Sequence, residues 1–64
     1  MSGVKLYIAN EIAKKYTKRT IKDSEGSNEK ISTLYDFPNY LTPSERTEII
    51  EVAFNLKDKG LINI

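Results

Sequence analysis

Five cations lie within nine positions near the start of this 64-residue chain: Lys14, Lys15, Lys18, Arg19 and Lys22. We call these five residues the basic cluster. Ammonium and guanidinium groups at this density can neutralise phosphates, and such contacts make nucleic-acid binding weaken as salt is added. The alternative is a solvated helix end, where lysines are favoured by the helix dipole. We predict that the basic cluster binds DNA, with Arg46 as an auxiliary phosphate contact.

Charge is divided unevenly along the chain. Residues 1–22 carry six Lys or Arg and one acid, which gives +5, whereas residues 23–64 carry four Lys or Arg and eight acids, which gives −4. The net charge of +1 is therefore the sum of a basic N-terminal segment and an acidic C-terminal segment. Such asymmetry predicts a charged partner.

The side chains that catalysis or a metal site would need are missing. The chain has no cysteine and no histidine, which removes the ordinary nucleophile–base pairs, disulfides and zinc ligands. Its carboxylates stand beside lysines and not in an apolar pocket that would raise a pKa. No Gly-rich phosphate loop or calcium-loop spacing is present. We therefore predict a non-catalytic protein without cofactor or metal.

The length of the chain limits it to one small domain, residues 1–64. A chain of this size buries only about 60% of the surface that its unfolded form exposes, so its stability should be marginal. No run approaches the roughly 18 apolar residues of a membrane span, and the N-terminus lacks the apolar stretch of a signal peptide. We expect a cytoplasmic protein that does not enter the membrane.

The strongest structural signal predicts a helix from Pro43 to Lys59. Thr42 and Glu45 have the spacing of a capping box around a proline at the first helical position. Gly60 supplies the left-handed residue that commonly ends a helix. The apolar residues of this helix form a wide stripe, which leaves a homodimer possible if one copy cannot cover it.

The other elements are shorter. Apolar spacing predicts a first helix over residues 4–18, followed by an extended segment at 19–22 and a polar loop at 23–28. Residues 29–36 fit either a short helix or a strand, and the proline and asparagine that follow favour the helix. Residues 61–64 alternate as a short strand would. Together these elements predict an α+β domain of three helices with a short β element.

The order of short helix, turn, longer helix and Gly-led strand resembles that of winged-helix domains, in which the second helix of the pair enters the major groove. Residues 56–62 (LKDKGLI) are similar to the passage where such domains enter their wing. The resemblance implies DNA binding. However, the outward face of the last helix carries Glu48, Glu51 and Asp58, which phosphates would repel. We therefore expect the basic cluster to contact the DNA backbone, rather than the last helix to read bases.

A narrower resemblance rests on residues 12–16 (IAKKY) and 56–62. Their layout is similar to the N-terminal region of the toprim-type nuclease subunit of Wadjet plasmid-defence systems. In both, a helix ends in Lys-Lys-Tyr and is followed by a basic segment, a loop, a Tyr/Pro turn and a Glu-rich helix. The catalytic toprim part has no counterpart here. The resemblance implies only an accessory arm that helps to hold DNA or a partner.

The alternative function is a protein–protein interaction module, such as a regulator, inhibitor or accessory subunit of bacterial, phage or mobile-element origin. Tyr7 falls on the polar side of the first helix, where an exposed tyrosine could anchor an interface. Glu48 and Glu51 on the last helix would then face a complementary basic surface. That surface could belong to another protein or to a second copy of the chain.

Overall fold

The computed structural model describes residues 3–25 and 30–60. Within them the chain forms four α-helices: α1 (Gly3–Lys15), α2 (Lys18–Glu25), α3 (Lys30–Leu34) and α4 (Pro43–Lys59). The longest helix, α4, packs against both α1 and α2, and α2 also packs against α3. The described ranges contain no β-strand, so the architecture is a small all-helical one.

The α+β, winged-helix-like fold class predicted from the sequence is therefore wrong. The strand predicted at 61–64 lies outside the described residues. The segment 19–22, predicted to be extended, is helical, and so is the start of the predicted loop at 23–28, because α2 continues to Glu25. The first helix ends at Lys15 and not at Lys18. The helical interpretation of the middle segment is confirmed by α3.

A second helix starts after α1 because Thr17 caps it. The Thr17 hydroxyl oxygen accepts a hydrogen bond from the Thr20 amide at 3.1 Å, and the Thr17 carbonyl accepts one from the Ile21 amide at 3.1 Å. A threonine in this position satisfies amides that the first turn of a helix leaves unpaired. The break changes the helical phase, so Ile21 is fully buried while Arg19 faces solvent.

The prediction for the last helix is confirmed from Pro43 to Lys59. Both bonds of the capping box are present: the Glu45 amide donates to Thr42 Oγ1 at 3.2 Å, and the Thr42 amide donates to Glu45 Oε1 at 2.9 Å. Gly60 ends the helix in the left-handed conformation, with φ of 69°. These local bonds fix both ends of the element on which the rest of the fold packs.

Helices α1 and α4 run in the same direction. Near their starts, Lys5 Nζ lies 3.0 Å from Glu45 Oε2. Near their ends, Lys57 Nζ donates a hydrogen bond to the Ala13 carbonyl oxygen at 2.7 Å. Between these contacts lies the core, which is built mainly from isoleucine and alanine: Ile8, Ala9, Ile12, Ala13, Ile21, Ile31, Leu41, Ile49, Ile50 and Ala53. Because Ile50 is fully buried within one copy, that part of the wide stripe does not need a second copy to cover it.

Candidate nucleic-acid interface

Three helix ends meet at one end of the bundle. The chain passes from the end of α1 to the start of α2 through two residues, 16 and 17. The bond from Lys57 to Ala13 and the ion pair between Lys18 and Asp58 hold the end of α4 beside that junction. We define the basic end as the cations that these helix ends and the second turn of α2 carry: Lys14, Lys15, Lys18, Arg19, Lys22, Lys57 and Lys59.

Most of the basic end faces solvent. Six of its seven members are exposed, and Lys57 is half-buried. Lys57 bonds one of the last four carbonyls of α1, which have no partner within their own helix, so its role is structural. The structure thus places Lys18, Arg19 and Lys22 around one groove, Lys14 and Lys15 at the adjoining end of α1, and Lys59 from the acidic half of the sequence at the end of α4.

Among residues 3–25 and 30–60, the carboxylate of Asp58 forms the one ion pair with the basic end. Asp58 Oδ1 lies 2.8 Å from Lys18 Nζ, and the pair links α4 to α2. The hydrogen bond from Lys18 and the positive charge of Lys18 lower the pKa of Asp58, with smaller effects from Lys22 and Lys59. Asp58 is therefore ionised at neutral pH, and it offsets the charge of Lys18 while leaving the other exposed cations available to a ligand.

An open groove of about 470 Å³ lies between α2 and α4, inside the basic end. It is lined by three cations, one acid and one aromatic residue: Lys18, Arg19, Lys22, Asp58 and Phe54. Phe54 is half-buried and also packs against the core. The groove therefore offers an apolar surface beside groups that bind anions.

Arg46, predicted as an auxiliary phosphate contact, lies away from the basic end. It sits in the first turn of α4, twelve residues before Asp58, and at 1.5 Å per residue the two are about 18 Å apart along the helix axis. Its Nε is buried and has no hydrogen-bond partner. The structure does not bring Arg46 together with the other predicted contacts.

The residues predicted for a protein interface are dispersed. Tyr7 is 64% exposed, and Glu48 and Glu51 are exposed on α4. Glu48 Oε1 lies 3.6 Å from Lys5 Nζ, so part of the acidic face is neutralised within the chain. Residues two apart project about 200° apart around a helix, so Tyr7 and Lys5 point to different sides of α1. Tyr7 and Glu48 therefore do not share one surface.

Phe54 and Lys59 were not among the residues predicted to bind nucleic acid. Phe54 fits the apolar stripe of a helix, and Lys59 fits the basic last turn that a helix dipole favours. Only the packing of the end of α4 against the α1–α2 junction places them beside the basic cluster. No spacing in the sequence indicates that packing.

No family model, curated protein or solved structure matches this chain. The resemblance to the Wadjet nuclease region therefore stays a prediction based on residues 12–16 and 56–62. Among residues 3–25 and 30–60, no helix is long and apolar enough to cross a membrane. The same residues hold no group of three or more side chains that could ligate a metal ion.

Proposed function

We propose that this protein is a non-catalytic nucleic-acid-binding module whose basic end contacts the phosphate backbone. The observation that carries the proposal is the presence of six exposed cations from α1, α2 and α4 at one end of the bundle, where the described residues form one ion pair with them, that of Asp58 with Lys18. Cations arranged in this way supply affinity and position for nucleic acid without reading its sequence. The proposal includes a cytoplasmic location.

The helix dipole explains the positions of only some of the cations in the basic end. Lys14, Lys15 and Lys59 stand in the last turns of α1 and α4, where the dipole favours a cation. Lys18 and Arg19 stand in the first turn of α2, which contains no acid, and there the dipole disfavours a cation. Lys18 is paired with Asp58, so it is the positive charge of Arg19 that supports a role in binding an anion rather than in stabilising the fold.

Arg19 and Lys22 give the sharpest test, because both are exposed and both line the groove. Each lost phosphate contact should weaken binding about fivefold at 0.1 M salt, so Arg19→Gln with Lys22→Gln should weaken binding about 25-fold. The salt dependence of the binding constant should also become shallower by about 1.4 in log–log slope for a single strand. Fluorescence anisotropy with a labelled 20-nucleotide DNA measures both quantities.

The matched control changes net charge by the same amount at a distance from the basic end. Asn39→Asp with Ser44→Asp also removes two positive units of net charge, at two exposed positions before and at the start of α4. This control should keep most of the affinity. Equal losses in both double variants, or no loss in either, would show that the basic end is not the binding surface.

Asp58→Asn should have the opposite effect. It removes the carboxylate that pairs with Lys18, so it frees one more ammonium group for phosphate. A strand of thymidine nucleotides, whose bases carry no exocyclic amino group for Asp58 to bind, should bind more tightly, and its log–log salt slope should steepen by up to about 0.7, the value for one phosphate contact. Weaker binding by this variant would mean that the ion pair, and not free positive charge, forms the binding surface.

A protein-interaction module is the second candidate, and one observation favours it. Val4 and Tyr7 lie one turn apart on α1 and are 53% and 64% exposed, and Tyr7 precedes Lys14 by two helical turns, about 10 Å along the axis. Aromatic residues in such positions commonly anchor interfaces. A complex that survives nuclease and salt, is lost on Tyr7→Ala and persists in the Arg19→Gln/Lys22→Gln variant would favour this second function.

A further inference from the structure

We infer that the groove between α2 and α4 holds one unpaired base against Phe54, so that the module binds single-stranded nucleic acid in preference to duplex. The inference rests on the proposed function and names its ligand. It requires an apolar aromatic surface, cations placed for the flanking phosphates, and enough room for a nucleotide.

The groove meets these requirements. It is open to solvent and has a volume of about 470 Å³, which leaves room for one base. Phe54 is the aromatic residue in its lining, and Lys18, Arg19 and Lys22 on α2 stand around it. Stacking on an aromatic ring beside a cationic groove is the way in which single strands are bound without sequence readout.

The position of Asp58 also fits a base better than a bare phosphate. A carboxylate in the groove repels an anion, but it accepts hydrogen bonds from the exocyclic amino group of cytosine or adenine. The pKa of Asp58 is lowered by the hydrogen bond from Lys18, so the carboxylate form is the one present. The cations would then bind the phosphates on either side of the base that Asp58 and Phe54 contact.

The groove and the exposed side of α4 support duplex binding less well than single-strand binding. Bases in a duplex are stacked on one another, so their faces are not available to Phe54. A helix that entered the major groove would need polar or basic residues toward the base edges, whereas the exposed side of α4 carries Glu48 and Glu51. The short α2 carries Lys18 and Arg19 in its first turn and forms one wall of the groove.

The chain contains no tryptophan, so Phe54→Trp introduces a single fluorophore into the groove. Three probes of equal length are titrated: a 12-nucleotide strand of A and C, its duplex with the complementary strand, and an abasic 12-mer that keeps the phosphates. We expect the single strand to quench the tryptophan emission. The abasic strand and the duplex should leave the emission nearly unchanged.

Affinities for the same probes are measured by anisotropy with the unsubstituted protein, Phe54→Leu and Phe54→Tyr. The unsubstituted protein should bind the single strand at least about fivefold more tightly than the abasic strand, the effect of one stacked base. Phe54→Leu should remove most of that difference, and Phe54→Tyr, which keeps a ring, should retain it. Circular dichroism checks that each variant remains helical, and the comparison of probes on the unsubstituted protein does not depend on any variant folding.

The outcomes separate this inference from the function on which it rests. Equal affinity for the single strand, the duplex and the abasic strand, without quenching, would overturn the stacking site and leave phosphate binding by the basic end intact. Tighter binding of the duplex than of the single strand would overturn the stated preference. Failure of all three probes to bind at low salt would overturn the proposed function as well.

Discussion

Replacing Ser24 with alanine should destabilise the protein more than any exposed serine substitution would. Ser24 is fully buried near the end of α2. Its hydroxyl donates a hydrogen bond to the Thr20 carbonyl at 3.0 Å and accepts one from the Ile31 amide at 3.1 Å. Because Ile31 lies in the first turn of α3, this hydroxyl caps one helix from within another.

The expected magnitude follows from what Ser24→Ala leaves behind. The Ile31 amide would remain buried without an acceptor, which costs about 1–3 kcal/mol. The higher helix propensity of alanine offsets less than about 0.5 kcal/mol of this loss of stability. A domain of 64 residues has a free energy of unfolding of about 3–10 kcal/mol, so the loss is a large fraction of the total. It corresponds to a fall in Tm of about 4–8 °C for each kcal/mol lost.

Urea denaturation followed by circular dichroism at 222 nm measures this change. Ser44→Ala is the matched control, because Ser44 is exposed in the first turn of α4 and its replacement should alter the free energy of unfolding by less than about 0.5 kcal/mol. If Ser24→Ala were no more destabilising than Ser44→Ala, the Ser24 hydroxyl would not be the link between α2 and α3.

Two further predictions concern glycine and pH. Gly60→Ala should lower the free energy of unfolding by about 1–2 kcal/mol, because φ is 69° there and a Cβ disfavours the left-handed region. Gly3→Ala is the control: Gly3 lies in open space at the start of α1, so this change should be neutral or stabilising. Equal effects of the two changes in urea denaturation would refute the distinction. The second prediction concerns two carboxyl groups whose pKa values are lowered by hydrogen bonds. The pKa of Glu45 is lowered first by a hydrogen bond from the Thr42 backbone and then by one from Lys5. The pKa of Asp58 is lowered by a hydrogen bond from Lys18. The stability that these carboxylates contribute is therefore present above their ordinary pKa values of 4.5 and 3.8 and is lost as pH falls through the lowered ones. Urea midpoints measured from pH 5 to pH 2 should fall less steeply in Asp58→Asn than in the unsubstituted protein, and parallel curves would contradict the role of that ion pair.

The extent to which the sequence predicts this fold depends on how local the determining contacts are. The ends of α4 are set by Thr42, Glu45 and Gly60, all within or next to the helix, and the prediction was correct to the residue. α2 was missed because its cap, Thr17, lies where apolar spacing suggested one continuous helix. Its end depends on Ser24 and Ile31, seven residues apart, and a pattern search reads Ser24 as part of a polar loop.

The candidate site divides in the same way. The basic cluster was found because its residues are neighbours in sequence and stay neighbours across the short α1–α2 junction. Lys59 and Phe54 join it only because α4 runs parallel to α1, and the contact that shows this joins Lys57 to Ala13, 44 residues apart. Arg46 was included for its charge, and the same parallel packing carries it to the other end of the bundle.

The acidic residues of α4 raised the main objection to nucleic-acid binding, and the fold removes much of it. Glu45 and Glu48 lie within 3.0 Å and 3.6 Å of Lys5 Nζ at the start of α1, and Asp58 lies 2.8 Å from Lys18. These acids thus serve to hold α1 and α2 against α4, and two of them lie at the end of α4 opposite the basic end. A phosphate backbone at the basic end would meet Asp58, which is already paired with Lys18, the exposed Asp23 that follows Lys22 on α2, and five other exposed cations. In the folded chain the uneven charge of the sequence therefore becomes a basic end that lies at the opposite end of α4 from Glu45 and Glu48, two of the four acids on that helix.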